Sequence, residues 1–78
     1  MDISEEEFII KLGIHIRKLR EKKDISQQNL ADDCNISKAQ IGRVERAEFN
    51  TTIRTLVKIA NALDIEPKEL LNFQIKTL

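Results

Sequence analysis

Helix-start signals recur at short intervals along this chain, and they restrict its fold more than any other feature. The signals are capping boxes at Ser4–Glu7 and Ser37–Gln40, single caps at Ser26 and at Thr51 or Thr52, and Pro67 in a first helical turn. Apolar residues at helical spacing follow each signal. The pattern therefore predicts five helices joined by short connections.

The apolar residues of each segment fall on one face. The first stripe predicts a helix that begins just before Glu5 and ends at about Lys22. Two glycines, one proline and 4% aromatic residues also favour helices over sheets. We therefore predict an all-α fold, a compact five-helix bundle that forms a single domain over residues 1–78, with a C-terminal tail over 72–78.

The small size and composition exclude several classes of protein. The chain has 78 residues, with Cys34 as the only cysteine and His15 as the only histidine, so neither a disulfide framework nor a four-ligand zinc site can form within it. Catalytic Cys/His or Ser/His pairings and glycine-rich phosphate loops are also missing from the sequence. We expect no enzyme activity, cofactor, metal or membrane span, and a cytoplasmic protein.

The second and third helices are the most informative part of the sequence. Each is short and starts at a serine cap, and the link Cys34-Asn35-Ile36 is too tight for an antiparallel hairpin. Asn35 tolerates the left-handed conformation in which helices often end. Two helices joined this closely cross at a steep angle, so the spacing predicts a helix-turn-helix over about residues 26–47.

The third helix has an unusual outward face. If Ile41 and Val44 point into the core, the opposite side carries Ala39, Gly42, Arg43 and Arg46. Small residues allow a helix to sit deep in a DNA major groove, and arginine binds guanine edges or phosphates. Lys38 lies in the first turn, near the bases. Gln40 either contacts DNA or only caps the helix, and Arg46 is either a phosphate contact or plain surface.

The net charge of zero does not contradict DNA binding. The first seven residues carry four of the 13 acidic residues and no basic ones, so the remainder has a charge of +4. Binding depends on the local field where phosphates approach, which is screened over about 10 Å.

From Leu12 to Leu71 the chain resembles the phage repressor and Cro family of helix-turn-helix domains, the Xre-like or lambda-repressor-like domains. The pieces IRKLR, ISQQNLA, IGRVER, TLVKIANAL and PKELL stand in the family's order and spacing over sixty of 78 residues. The size also resembles the small controller proteins of restriction–modification systems. The resemblance implies a transcriptional regulator that binds a palindromic operator in double-stranded DNA as a homodimer, with the third helix in the major groove.

The resemblance also implies roles for individual residues. Arg20 and Glu45 match a buried ion pair that ties the first helix to the end of the third. Lys38, Ala39 and Arg43 match base-reading positions. The full set of candidate DNA contacts is Gln27, Gln28, Ser37, Lys38, Ala39, Gln40, Arg43, Arg46, Asn50, Thr51 and Arg54.

The sequence departs from the family in places. Ala47 replaces a frequent glycine, so the chain is expected to leave the third helix differently or to extend it. Thr51 replaces a frequent proline, and Asp64 replaces a frequent glycine after the fourth helix. None of these changes removes a DNA-contact position.

Two questions stay open at this level. The same fold serves in antitoxins and antirepressors, where a protein partner such as a toxin replaces DNA, but the small, basic outward face favours DNA. Dimer contacts are predicted in the C-terminal third, because Val57, Phe73, Ile75 and Leu78 exceed what the inward stripe needs. Ile10 and Ile14 form a competing apolar patch on the first helix.

Overall fold

A computed structural model describes residues 2–48 and 50–75. Within this part of the chain there are four α-helices and one short 3₁₀ helix. Their bounds are α1 (Glu5–Lys22), α2 (Gln27–Cys34), α3 (Lys38–Glu45), α4 (Ile53–Leu63) and the 3₁₀ helix (Pro67–Leu71). The all-α fold and the bounds of the first helix agree with the sequence analysis.

Each α-helix begins at a side-chain cap. The hydroxyl oxygens of Ser4, Ser26, Ser37 and Thr52 each accept a hydrogen bond from the backbone N–H three residues later. These bonds satisfy amide groups that have no partner inside the helix. Of the two threonines offered by the sequence, Thr52 is therefore the cap of α4.

All four α-helices end in the same way, at a residue with positive φ that is not glycine. The four residues are Asp24, Asn35, Ala47 and Asp64, with φ between 56° and 59°. In each case the following residue donates its backbone N–H to a carbonyl five positions earlier, as from Ile36 to Ala31 at 3.0 Å and from Glu48 to Arg43 at 2.9 Å. This is the Schellman arrangement. The expectation that α3 ends differently or is extended was wrong, since Ala47 itself adopts the left-handed conformation.

The fifth predicted helix is not an α-helix. Pro67–Leu71 spans only five residues, and its backbone bonds connect residues three apart, from Glu69 N–H to Glu66 O at 2.9 Å. One such turn suffices to bury Leu70 completely, while Leu71 stays 48% exposed. A segment this short gains little from the longer-range bonds of an α-helix.

One core joins all of these elements. Its fully buried large side chains are Ile16, Leu30, Ile41, Ile59, Leu63 and Leu70, so every helix contributes at least one. Helix α1 approaches the end of α3 very closely: a Cβ on Gly13 would lie 2.6 Å from Val44 O and 2.7 Å from Glu45 O. Across residues 2–48 and 50–75, no helix is long and apolar enough to cross a membrane.

Candidate nucleic-acid interface

The turn between α2 and α3 is fixed at both of its ends. Asn35 ends α2 in the left-handed conformation, and Ser37 caps α3 by accepting the Gln40 N–H at 3.0 Å. Between them, Ile36 packs against the core. The chain path between the two helices is therefore fixed by these caps and by the packing of Ile36, as in a helix-turn-helix.

The outer face of α3 is formed by residues on the side opposite its buried residues. Ile41 is 0% and Val44 4% exposed, so α3 is anchored firmly to the core. Lys38, Ala39 and Arg43 are all exposed, and Gln40 is half-buried beside the core stripe. The short side chain of Ala39 leaves space between the two cations.

Gly42 differs from the expectation of an open, small residue. It is buried, because the Arg46 side chain folds back over it: a Cβ on Gly42 would lie 2.8 Å from Arg46 Nη1. Because Gly42 has no side chain, the Arg46 guanidinium can pack directly on its backbone. DNA could approach Gly42 closely only if the Arg46 side chain moved away from it.

The Arg46 guanidinium is held by a residue that sequence reasoning missed. Arg46 Nε donates to Glu48 Oε2 at 2.7 Å, and Nη2 donates to Glu48 Oε1 at 3.3 Å. The hydrogen bonds from Arg46 lower the pKa of Glu48 below its usual 4.5, so the carboxylate stays charged. Arg46 therefore has its charge matched within the protein.

Glu48 also lines a depression on this face. The depression has a volume of about 420 Å³ and is lined by Ser37, Gln40, Arg43 and Glu48. Three of these residues are predicted DNA contacts, and the fourth brings a negative charge among them. The only signal in the sequence was an acidic residue two positions after Arg46.

Glu45 ties three helices together beneath the interface. Arg20 Nε donates to Glu45 Oε2 at 2.7 Å and Arg20 Nη2 to Glu45 Oε1 at 3.1 Å, with the two side chains 10% and 3% exposed. Arg20 Nη1 also donates to the Ile25 carbonyl at 2.8 Å. The hydrogen bonds that Arg20 donates to the Glu45 carboxylate raise the pKa of Arg20, although burial acts in the opposite direction.

Gln27, a predicted DNA contact at the start of α2, belongs to the same network. Its Nε2 donates to Glu45 Oε1 at 2.9 Å. The side chain is partly buried, with its amide group oriented by the ion pair. Its neighbour Gln28 is exposed and donates to Asp32 Oδ1 at 2.8 Å.

The remaining candidate contacts lie at the start of α4. Asn50 and Arg54 are exposed, and Thr51 is half-buried. The Thr51 hydroxyl oxygen is fully buried, and among residues 2–48 and 50–75 it has no hydrogen-bond partner. The exposed side chains flank the cap residue Thr52, so they border the same surface as the loop after α3.

The predicted dimer contacts do not share one environment. Val57 is 41% exposed on α4, and Ile53, one turn earlier, is 76% exposed. Phe73 instead packs on its own chain, with its ring centroid 5.2 Å from that of Phe8 and 5.6 Å from that of His15. Ile75 is half-buried, and Leu78 lies outside the described residues.

The two residues that sequence reasoning weighed for other chemistry are both used in packing. His15 Nε2 donates to the Glu69 carbonyl at 2.8 Å. Cys34 is buried, and burial raises the pKa of its thiol, which keeps it protonated and unreactive. Within the described part of the chain, no group of three or more His, Cys, Asp or Glu residues is placed to hold a metal ion.

Comparison with known proteins places this chain in a family. Residues 16–70 match the family described as helix-turn-helix. The control protein C.BamHI of Bacillus amyloliquefaciens is 36% identical over 62 residues, covering 78% of this chain and 76% of that protein. The control protein C.SmaI of Serratia marcescens is 36% identical over 63 residues, covering 81% and 75%.

A solved structure extends the likeness to three dimensions. The restriction-modification controller protein C.AhdI from Aeromonas hydrophila superposes with a TM-score of 0.78 at 40% sequence identity. The alignment covers 80% of this chain and 94% of that protein.

Proposed function

The chain belongs to the helix-turn-helix family, and we propose that it is a sequence-specific transcriptional regulator that binds double-stranded DNA with α3 in the major groove. One observation carries the proposal: Lys38, Ala39 and Arg43 stand exposed along α3, while Ile41 and Val44 anchor that helix in the core. A rigid helix with cations spaced by a small residue suits the groove. The relatives described above are control and controller proteins rather than enzymes, and we extend the regulatory role to this chain.

The candidate contacts divide by chemistry. Arg43 is the main base reader, because its guanidinium is exposed on the outer face of α3 and can bind guanine bidentately. Lys38 lies in the first turn of α3 and adds a second cation near the bases that Arg43 reads. Asn50 and Arg54 bind flanking phosphates, which fix the register of the protein on DNA without reading sequence.

Gln27 is suited to the DNA backbone. It is the first residue of α2, where free backbone N–H groups and the helix dipole favour a phosphate. Its side chain is already oriented by Glu45, at 2.9 Å. Less conformational entropy is then lost when the phosphate binds.

We further propose that the protein binds a palindromic operator as a two-fold dimer. One recognition helix reads only a few base pairs. Two recognition helices that lie one DNA turn apart, about 34 Å, read twice as many. Ile53 and Val57 form an exposed apolar pair one turn apart on α4, and this pair supports a dimer interface on the outer face of that helix. Phe73 contributes indirectly, by holding the tail against α1.

Selection of binding sites from random DNA tests the proposal first, and an enriched palindrome is expected. On that operator, Arg43→Ala should cost about 1–3 kcal/mol and flatten the preference at one base pair. Arg54→Ala, the matched control, should weaken specific and random DNA alike. Equal losses on both kinds of DNA for Arg43→Ala would make Arg43 a phosphate contact instead.

Sedimentation at micromolar concentration tests the dimer. The wild type should sediment as a dimer, and Val57→Asp should shift it toward monomer and weaken operator binding. A monomeric wild type that binds a non-palindromic site tightly would contradict the proposed dimer. A protein that selects no DNA sequence but captures a protein partner would favour the antitoxin or antirepressor role.

A further inference from the structure

The outer face of α1 carries apolar residues that residues 2–48 and 50–75 cover only in part. Ile10 is 50% and Ile14 47% exposed, although the core residues of the same helix, Leu12 and Ile16, are almost fully buried. At about 100° per residue, Ile10 and Ile14 lie within about 40° of each other, directly away from the core. Two β-branched apolar side chains one turn apart form the centre of an apolar strip, and Ile14 borders a depression that Phe73 and Gln74 also line.

Charges on the two ends of this helix have opposite signs. Glu5, Glu6 and Glu7 form the first turn, and Arg17, Lys18 and Lys22 lie towards the end. Glu7 and Lys18 lie on one edge of the apolar strip, and Glu6 and Arg17 lie on the other, by the same helical geometry. The strip is therefore apolar in the middle and acidic at its first end, and at its second end Arg17 and Lys18 lie on its edges with Glu21 between them.

Such a surface is complementary to itself when two copies pair antiparallel. A two-fold axis midway between Ile10 and Ile14 brings Ile10 of one copy against Ile14 of the second. It also sets Glu7 within one residue of the level of Lys18 of the second copy, and Glu6 within one residue of the level of Arg17. Both edges then pair opposite charges, whereas a parallel pairing would oppose like charges at both ends.

We propose that the outer face of α1 is a docking surface for a second copy of this chain, in antiparallel two-fold pairing centred between Ile10 and Ile14. This surface lies on a different helix from the α4 pair Ile53 and Val57, so it is a second interface beside the one proposed for the operator-binding dimer. Together the two interfaces join dimers into tetramers.

The existing ion pairs of α1 do not prevent this pairing. Glu7 pairs with Lys11 at 3.6 Å, and Arg17 pairs with Glu21 at 3.2 Å, all with partly or largely exposed side chains. Such surface pairs contribute little to stability and exchange readily. One helix from each copy forms a small interface, so the association is weak. We expect it only at high protein concentration.

Sedimentation from micromolar to millimolar concentration tests the surface. The wild type should pass from two copies to four, and Ile14→Asp should weaken that second step by about tenfold or more, since two-fold symmetry makes each substitution act twice. Val57→Asp should affect only the first step. A second step unchanged by Ile14→Asp would overturn the α1 surface, and a first step unchanged by Val57→Asp would overturn only the α4 interface.

Charge exchange tests the antiparallel direction. Lys18→Glu should weaken the second step, and Glu7→Lys combined with Lys18→Glu should restore it, because the double variant repeats the same pairs with signs exchanged. Lys68→Glu, at another exposed ion pair, is the matched control. Circular dichroism must show equal helix content in all variants. A double variant weaker than Lys18→Glu alone would overturn the antiparallel arrangement.

Cross-linking provides an independent readout. An equimolar mixture of Ile10→Cys and Ile14→Cys proteins should form mixed disulfides in preference to either variant alone. The buried, protonated Cys34 does not compete. Preferential links within the Ile10→Cys protein would indicate a parallel pair and contradict the proposal.

Discussion

Two arginine–glutamate pairs flank the end of α3, with nearly the same geometry and opposite surroundings. Arg20–Glu45 and Arg46–Glu48 each have a 2.7 Å bond from Nε and a longer bond from Nη2. The side chains of the first pair are 10% and 3% exposed, and those of the second are 58% and 51% exposed. Glu45 and Arg46 are adjacent in the chain.

The difference shows that burial, rather than geometry, decides what such a pair does. Water competes for an exposed pair, so its net contribution to folding is small. A buried pair contributes rigidity, because neither partner can be removed without leaving a charge in the interior. The inner pair, Arg20–Glu45, therefore fixes α1, α2 and α3 relative to one another through its bonds to Ile25 and Gln27. In the outer pair, Arg46–Glu48, a carboxylate on the surface holds the guanidinium.

Removing one partner of each pair is the strongest test of this comparison. Glu45→Ala leaves the Arg20 guanidinium buried without its carboxylate and should cost about 3–5 kcal/mol of the free energy of unfolding. Glu48→Ala, the matched control three residues later, should leave the melting temperature unchanged. Both values come from thermal or urea unfolding. A Glu45→Ala protein that melts normally but loses DNA binding would assign Glu45 to the interface instead.

The inner pair depends on close packing of α1 against α3. Gly13 permits that approach, since a Cβ there would lie within 2.7 Å of two carbonyl oxygens at the end of α3. Gly13→Ala should therefore destabilise the protein by about 1–3 kcal/mol through overpacking, even though alanine favours helices. Denaturant unfolding measures the loss. A stabilised variant would show that α1 can move away from α3 without disturbing Arg20 and Glu45.

Local signals explain why so much of the fold could be predicted. Ser26, Ser37 and Thr52 bond to amides three residues away, and Asn35 ends α2 through its own backbone preference. Such interactions depend on a few neighbouring residues, which the sequence displays directly. The positions of Arg43 and Lys38 on the outside of α3 follow from the same helical periodicity.

The features that the sequence did not reveal depend on distant contacts or on the path of a loop. Phe73 is apolar and outside the core stripe, so pattern alone could not decide between a partner chain and Phe8, 65 positions earlier. Gly13 is significant only because α3 lies against it. The Arg46–Glu48 pair requires the chain to turn back at Ala47, which alanine does not signal.

Substitution of Ala47 should change the free energy of unfolding by an intermediate amount. Its φ of 59° strains an L-residue with a Cβ, whereas glycine adopts that region without strain. Ala47→Gly should therefore stabilise the fold by about 1 kcal/mol. Ala39→Gly, the same change inside α3, should destabilise it by about 0.5–1 kcal/mol. If thermal unfolding showed that Ala47→Gly and Ala39→Gly lose the same amount of stability, the left-handed conformation of Ala47 would not be strained.

The smallest expected effect concerns the outer pair and is seen only with DNA. Glu48→Gln removes the carboxylate that holds Arg46, so the guanidinium can neutralise one more phosphate. Affinity for every DNA sequence should rise at low salt, and the slope of log K against log salt should steepen by about 0.9. Glu66→Gln, which breaks the exposed pair with Lys68 on the 3₁₀ helix, should change neither quantity.

The pH dependence of this effect has a definite sign. Arg46 lowers the pKa of Glu48, so the pair is complete at all pH values above that lowered pKa and is lost only when acid protonates the carboxylate. The affinity difference between wild type and Glu48→Gln should therefore stay constant between about pH 6 and pH 8. Fluorescence anisotropy with operator and random duplexes measures both quantities. Weaker binding by Glu48→Gln, confined to the operator, would instead indicate that Glu48 accepts a hydrogen bond from a cytosine amino group, and the outer pair would then act in base recognition.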